Sequence, residues 1–217
     1  MDKLILVLTV SIALMLLLVV VATFFYRKNK VPKKYKGMIF FDIDGTLATG
    51  KENKEIVDYC LSKGLEVGVL TASSKYTTQN LHTFEWMPPN LYELLTNNHF
   101  RTFSSIAGNV VGGVYNPSFY AKAKSSQKYQ EDMEKCGRDN YCVLGWMKGY
   151  VMEKMSHEFG ISDMKCVGIA DDNLLVGIRT FNPDYFRICG GEKCGEQLTL
   201  ESVKKQLRQC PALVSSI

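Results

Sequence analysis

The segment MIFFDIDGTL occupies residues 38–47, and its interpretation decides the fold of the whole chain. Its first four residues form an uninterrupted apolar run, which is typical of a β-strand buried on both faces of a sheet. Asp42 and Asp44 follow with one residue between them, so both carboxylates lie on the same side of an extended chain. Gly45 then permits a sharp turn out of the strand. The segment therefore predicts a buried strand that ends in two carboxylates.

The sequence after residue 47 alternates between helical and strand patterns. Residues 53–63 have helical spacing and end at Gly64, which suits a helix C-terminus, and 67–70 is a second apolar run. The remaining patterns predict a helix at 75–85, one or two strands within 102–114, an irregular stretch at 116–145, a helix at 147–159, strands at 166–170 and 184–189, and a helix at 199–209 capped by Thr199. This alternation predicts an open, three-layer α/β domain with a parallel sheet.

Polar residues follow three of the predicted strands. They are Asp42 and Asp44 after the first strand, Thr71 after the second, and the pair Asp171 and Asp172 after the strand at 166–170. Ligands bind at the carboxyl ends of strands in open α/β sheets, so we expect these side chains to converge. Crowded carboxylates repel one another and lose hydration, and a cation resolves that conflict. Oxygen ligands without nearby histidine or cysteine predict Mg²⁺ rather than zinc.

The opening motif, Asp42-x-Asp44-Gly45-Thr46-Leu47 after an apolar strand, resembles that of the haloacid dehalogenase superfamily. The other motifs of that family have matches in the same order. These are Thr71 after an apolar strand, Lys148 near the start of a predicted helix, and Asp171-Asp172 after another apolar strand. The resemblance covers about 135 of the 217 residues. It implies a Rossmann-like core and a phosphatase-type member of the superfamily.

The resemblance implies a role for each matching residue. Asp42 would be the nucleophile that forms an aspartyl-phosphate, and Asp44 the general acid and then the general base. Thr71 would donate a hydrogen bond to a phosphoryl oxygen, and Lys148 would offset negative charge. The expected Mg²⁺ ligands are Asp42, Asp171, Asp172 and the backbone around Asp44.

Structural alternatives stay open at several of these positions. Thr71 could be a helix N-cap, Asp172 a turn residue, and Lys148 a surface lysine, with Lys154 as its rival for the site. Lys75 is expected to be an exposed helix lysine rather than a phosphate ligand.

The identity of Asp44 narrows the expected reaction. In the superfamily, transport ATPases carry threonine two residues after the nucleophile and dehalogenases lack the acid, so an aspartate implies a phosphatase or phosphomutase. The interval from Asp44 to Thr71 leaves no room for a large cap, and the longer interval to Lys148 allows a small lid.

Two alternatives to a phosphatase stay open. One is a phosphotransferase or phosphomutase, and the other is a binding module without turnover, suggested by Ala170 where the family often has glycine. The substrate is a phosphorylated compound of open class.

An uncharged segment at residues 4–26 is long enough to cross the ~30 Å hydrocarbon layer of a membrane. The sequence therefore predicts a transmembrane anchor at 1–26, a basic tether at 27–36 and a phosphatase domain at 37–217. Positive residues concentrate in the tether, which by the positive-inside rule predicts a cytoplasmic domain. The net charge of +4 gives no strong signal for nucleic-acid binding.

The chain has seven cysteines, and two pairs lie close in sequence: Cys136 with Cys142, and Cys189 with Cys194. A zinc site with four thiolates, two disulfides and free thiols are all compatible with these spacings. Free thiols are the favoured interpretation for a cytoplasmic domain. Disulfides would count against the predicted orientation in the membrane.

Overall fold

The structure is a computed structural model that describes Met15 and residues 35–50, 52–73, 101–103, 110–111, 114–115, 117–137 and 139–214. These residues, apart from Met15, belong to one compact unit, Tyr35–Ile217. The predicted helix at 75–85 with Lys75, and the predicted anchor apart from Met15, lie outside the described residues. Among the residues described, no helix is both long and apolar enough to span a membrane.

Five parallel strands form the central sheet, and a separate two-stranded antiparallel hairpin accompanies them. The strands are β1 (Gly37–Phe41), β2 (Leu65–Leu70), β3 (Arg101–Phe103), β4 (Val110–Val111), β5 (Val114–Tyr115), β6 (Val167–Asp171) and β7 (Phe186–Cys189). The order across the sheet is β3-β2-β1-β6-β7, while β4 pairs with β5. The predicted α/β class and parallel sheet are confirmed. In the register, Phe41 lies opposite both Val69 and Ala170, so β1, β2 and β6 end at the same edge.

Seven helices are described around these strands. They are α1 (Asn53–Ser62), α2 (Pro117–Lys124), α3 (Gln127–Cys136), α4 (Asn140–Glu158), α5 (Leu175–Phe181), α6 (Leu200–Leu207) and α7 (Pro211–Val214). The predicted helices at 53–63 and 199–209 are confirmed, and Thr199 caps α6 by accepting a hydrogen bond from the Ser202 N–H. Both predictions succeeded because an apolar stripe occurs together with a residue that marks a helix end, Gly64 in the first case and Thr199 in the second.

Each face of the sheet carries its own apolar core. Successive side chains of β1 point to opposite faces, as the pleat of a strand requires. Ile39 and Phe41 pack with residues of α1 and α6, whereas Met38 and Phe40 pack with residues of α4 and α5. All four side chains are completely buried, which explains the uninterrupted apolar run that the sequence shows.

The prediction of an irregular stretch at 116–145 is wrong, because α2, α3 and the first turns of α4 occupy it. Helix α3 is polar on most of its surface, and its apolar face is narrow, with Tyr129, Met133 and Cys136 at helical spacing. A buried carboxylate also joins it to α4: Asp132 accepts hydrogen bonds from the Trp146 indole at 2.9 Å and from the ammonium groups of Lys128 and Lys135. A tertiary polar contact thus supplements this narrow apolar face.

Helix α4 lies unusually close to α5, and glycines make this possible. A Cβ atom on Gly145 would collide with the carbonyl oxygen of Leu174, and one on Gly177 would collide with that of Cys142. Larger residues at either position would push the two helices apart.

Helix α4 begins at Asn140 rather than at the predicted residue 147. Lys148 therefore lies in the middle of the helix, with helical turns before and after it.

Six of the seven cysteines are paired, so the expectation of free thiols is wrong for them. The disulfides are Cys136–Cys142, Cys166–Cys210 and Cys189–Cys194, while Cys60 is a buried free thiol. The Cys166–Cys210 bond joins residues 44 positions apart, and sequence proximity could not reveal it. It ties the start of β6 to the segment that follows α6.

Candidate active site

Three buried carboxylates meet at the carboxyl edge of the sheet. Asp42 follows β1 directly, and Asp171 ends the neighbouring strand β6 and is followed by Asp172. The Asp42 N–H donates to the carbonyl of Ala170 at 2.9 Å, which continues the strand pairing up to the site. One carboxylate oxygen from each of the three aspartates lies within 4.8 Å of the others. The predicted convergence of Asp42, Asp171 and Asp172 is therefore confirmed by the geometry.

A turn at Gly45 brings the chain back across this cluster. Gly45 has a φ of 73°, which a residue with a side chain adopts only with strain. A Cβ atom here would also collide with the carboxylate of Asp172. The hydroxyl of Thr49 donates to the Gly45 carbonyl at 2.8 Å and holds the turn. Glycine is thus required both for the backbone angle and for the space that Asp172 occupies.

Lys148 is the cationic centre of the cluster. Its side chain is completely buried, and its Nζ lies 2.9 Å from Oδ1 of Asp42 and 2.5 Å from Oδ2 of Asp171. The rival candidate, Lys154, lies 5.4 Å from the ring centroid of Tyr150 on the same helix. The geometry therefore selects Lys148, because α4 presents it to the sheet edge from within the core.

The orientation of Asp171 is held by the backbone that follows it. Its Oδ1 accepts hydrogen bonds from the N–H groups of Asn173 at 3.0 Å and Leu174 at 2.8 Å. Its Oδ2 faces Lys148. With both oxygens engaged, the carboxylate cannot rotate freely, which pre-organises the charge next to Asp42.

The three carboxylates are buried and repel one another, and the site holds too little positive charge to balance them. Burial, reinforced by repulsion from Asp171, raises the pKa of Asp42 to about 7 against the opposing attraction of Lys148. Burial and Asp171 also raise the pKa of Asp172. Burial acts to lower the pKa of Lys148, but the two carboxylates outweigh it and raise that pKa above its ordinary value. One ammonium is therefore not enough for three carboxylates, and a hard divalent cation with oxygen ligands fits this donor set.

The two other predicted site residues lie at the edge of the cluster or beside it. Thr71 follows β2 directly and is buried, and its Oγ1 accepts the Ser73 N–H at 3.1 Å, so the hydroxyl proton remains available for donation. Asp44 is exposed and does not belong to the group of three convergent carboxylates. A general acid has to reach a leaving group on the open side of the site, and exposure is compatible with that role.

One cation near the site was missed by the sequence analysis. The Nζ of Lys193 lies 3.8 Å from Oδ2 of Asp172. Lys193 belongs to the loop after β7, four residues beyond the end of the strand. Its position after the carboxyl end of a strand could have identified Lys193 as a candidate site residue, but no sequence motif marks this loop.

Comparisons of the chain with family models, curated proteins and solved structures found no match.

We expect the stability of the metal-free protein to depend on pH through Asp42. The pKa of Asp42 is about 7 in the folded protein against an ordinary value of 3.8, so the folded state binds this proton more tightly. The stability that Asp42 contributes by holding its proton is complete below the ordinary pKa of 3.8, and it is lost as the pH rises through the folded pKa of about 7. Denaturant unfolding in EDTA should show Asp42→Asn gaining stability relative to the wild type between these two values. A constant difference across that range would contradict the assignment.

Removal of Lys148 should destabilise the protein strongly. Lys148→Met leaves two buried carboxylates without their partner, which typically costs ~3–5 kcal/mol in the free energy of unfolding. The matched control, Lys154→Met on the same helix, should change it by less than ~1 kcal/mol because that lysine makes no described ion pair within the site. Both values come from denaturant unfolding in EDTA, and equal effects of the two substitutions would refute the central role of Lys148.

Proposed function

We propose that this chain is a magnesium-dependent phosphomonoester hydrolase of the haloacid dehalogenase type. In this proposal the parallel sheet is a Rossmann-like core with a small cap or none. The observation that supports the proposal best is the meeting of Asp42, Asp171, Asp172 and Lys148 at one edge of the sheet. These residues come from three separate segments of the chain, and they follow one another in the order of the family motifs that they resemble.

The first step is attack by Asp42 on the phosphorus of a bound phosphate monoester. A bond forms between a carboxylate oxygen and phosphorus, and the bond from phosphorus to the ester oxygen breaks. Asp44 donates its proton to the departing oxygen, which leaves as an alcohol. The covalent product is an aspartyl-phosphate on Asp42.

The second step returns the enzyme to its starting state. Asp44, now a carboxylate, accepts a proton from a water molecule, and the water oxygen attacks phosphorus. The bond between phosphorus and Asp42 breaks, which releases inorganic phosphate. Thr71 and Lys148 would hold the phosphoryl oxygens and the nucleophile in line during both steps.

The cation would be held by Asp42, Asp171 and Asp172, together with the backbone around Asp44. When bound, it supplies positive charge that offsets the phosphoryl oxygens and the carboxylates. Oxygen ligands of this kind suit Mg²⁺. Without a cation, burial raises the pKa of Asp42 to about 7, and a neighbouring divalent cation would lower it and keep this nucleophile ionised at neutral pH.

The proposal includes a membrane tether at residues 1–26, which is supported by the uncharged segment at 4–26. Tethering would restrict hydrolysis to phosphorylated substrates that reach the membrane surface.

Phosphate release from an aryl phosphate tests the proposed function. The full chain is purified in detergent and assayed with MgCl₂ or with EDTA. Release that requires Mg²⁺ supports the hydrolase, whereas the absence of any release across substrate panels of metabolites, peptides and nucleotides would favour a binding module. Transfer of the phosphate to an added acceptor alcohol in preference to water would indicate a phosphotransferase.

A further inference from the structure

A loop closed by a disulfide packs directly on the acidic cluster. We call residues 189–194 the cystine loop, because Cys189 and Cys194 at its ends are bonded to each other. The Gly190 N–H donates to the carbonyl of Asp171 at 3.2 Å. Gly191 lies so close to the turn and the cluster that a Cβ atom would collide with the Gly45 carbonyl and with the side chain of Asp172. The cystine loop is therefore a wall of the candidate active site.

This loop presents Lys193 to the rim of the site. The Nζ of Lys193 lies 3.8 Å from Asp172 Oδ2, while 61% of its side chain is exposed. Lys148 differs in both respects, since it is completely buried and held by two carboxylates. A lysine at the rim keeps a flexible, hydrated ammonium that can leave Asp172 and contact a ligand.

The charges of the site leave a role for this second ammonium. Lys148 together with one divalent cation would balance the three carboxylates. A dianionic phosphoryl group therefore enters a site without surplus positive charge. Anionic ligands bind best where the local charge complements their own. Among the described residues, Lys193 is a cation within reach of the cluster. Its ammonium is only partly engaged by the carboxylates, because the contact with Asp172 is long and the side chain is mostly exposed.

We propose that Lys193 binds the phosphoryl group of the substrate and that the Cys189–Cys194 bond positions it. This inference rests on the proposed function and deepens it, because it names a second ammonium that contacts the phosphoryl group at the rim of the site. Lys193 takes no part in bond making or breaking.

Titration calorimetry on the full chain in detergent tests the role of Lys193. The wild type, Lys193→Ala and the control Lys165→Ala are titrated with MgCl₂ alone and then, at saturating Mg²⁺, with inorganic phosphate. Lys165 is exposed and lies just before β6, at the opposite edge of the sheet. Lys193→Ala should weaken phosphate binding about tenfold, as loss of one charged contact does. Its Mg²⁺ affinity should be unchanged or higher, because a competing cation has left Asp172. Lys165→Ala should match the wild type in both titrations.

Kinetics and the disulfide provide independent readouts. Lys193→Ala should raise KM for an aryl phosphate with little change in kcat, because the lost contact exists before and during the reaction. Cys189→Ala/Cys194→Ala keeps Lys193 but opens the loop, and it should weaken phosphate binding at least about threefold.

The outcomes separate this inference from the proposed function. Phosphate affinity of Lys193→Ala within twofold of the wild type overturns the inference, and turnover by the wild type would still support the hydrolase. A wild type that binds phosphate but hydrolyses nothing refutes the hydrolase, and the tenfold loss in Lys193→Ala would still establish the binding role. A wild type that binds no phosphate in Mg²⁺ overturns the inference, and the phosphate-release assay decides the hydrolase separately.

Discussion

Asp42→Asn should reduce the Mg²⁺-dependent release of phosphate by about a thousandfold or more, because an amide cannot serve as the nucleophile. The amide has nearly the same shape as the carboxylate, and Lys148 keeps its ion pair with Asp171. We therefore expect a folded, inactive protein rather than an unfolded one. Initial rates with an aryl phosphate, together with circular dichroism of the same preparation, measure both properties.

A matched carboxylate on the surface provides the control. Asp58 is exposed on α1 and pairs with Lys54. Because exposed ion pairs of this kind contribute little, Asp58→Asn should retain the activity and stability of the wild type. Activity of Asp42→Asn close to that of the control would refute the assigned mechanism, even if the wild type is a phosphatase.

Loss of the Cys166–Cys210 disulfide should produce the largest change in stability among the three bonds. The bond joins residues 44 positions apart, and the loop-entropy relation assigns about 4 kcal/mol to a closure of that length. For a domain of this size, such a loss lowers the melting temperature by roughly 8–16 °C. Thermal unfolding of Cys166→Ala/Cys210→Ala, followed by circular dichroism without reductant, measures the effect.

The bond between Cys136 and Cys142 is the natural comparison, because its residues are 6 positions apart. The same relation assigns it only about 2 kcal/mol. Cys136→Ala/Cys142→Ala should therefore destabilise the protein about half as much. A smaller effect for the 166–210 pair than for the 136–142 pair would show that chain entropy does not determine the ranking.

The disulfides bear on the side of the membrane where the domain would lie. Basic residues after the uncharged segment predict a cytoplasmic domain, whereas paired cysteines persist in oxidising compartments. The basic residues and the disulfides therefore point to opposite sides of the membrane. The state of Cys166 and Cys210 in protein isolated without reductant decides between them.

The sequence by itself determined the strands of the central sheet that carry the acidic residues and the identity of those residues. An uninterrupted apolar run ending in carboxylates has few interpretations, because such a strand must be buried and its end must face a ligand or solvent. The fold class, the helix at 53–63, the capped helix after Thr199 and the convergence of Asp42 with Asp171 and Asp172 all followed from local signals of this kind.

The tertiary structure decided between Lys148, which the motif resemblance favoured, and its rival Lys154, and it alone decided how the cysteines pair and what covers the site. Lys148 and Lys154 lie on one helix, but the Nζ of Lys148 lies 2.9 Å from Asp42, whereas that of Lys154 lies over the ring of Tyr150. Lys193 reaches Asp172 because the cystine loop folds back over Gly45. Contacts of this kind join residues that are distant in the chain, so neither the hydrophobic periodicity nor the spacing of motifs predicts them.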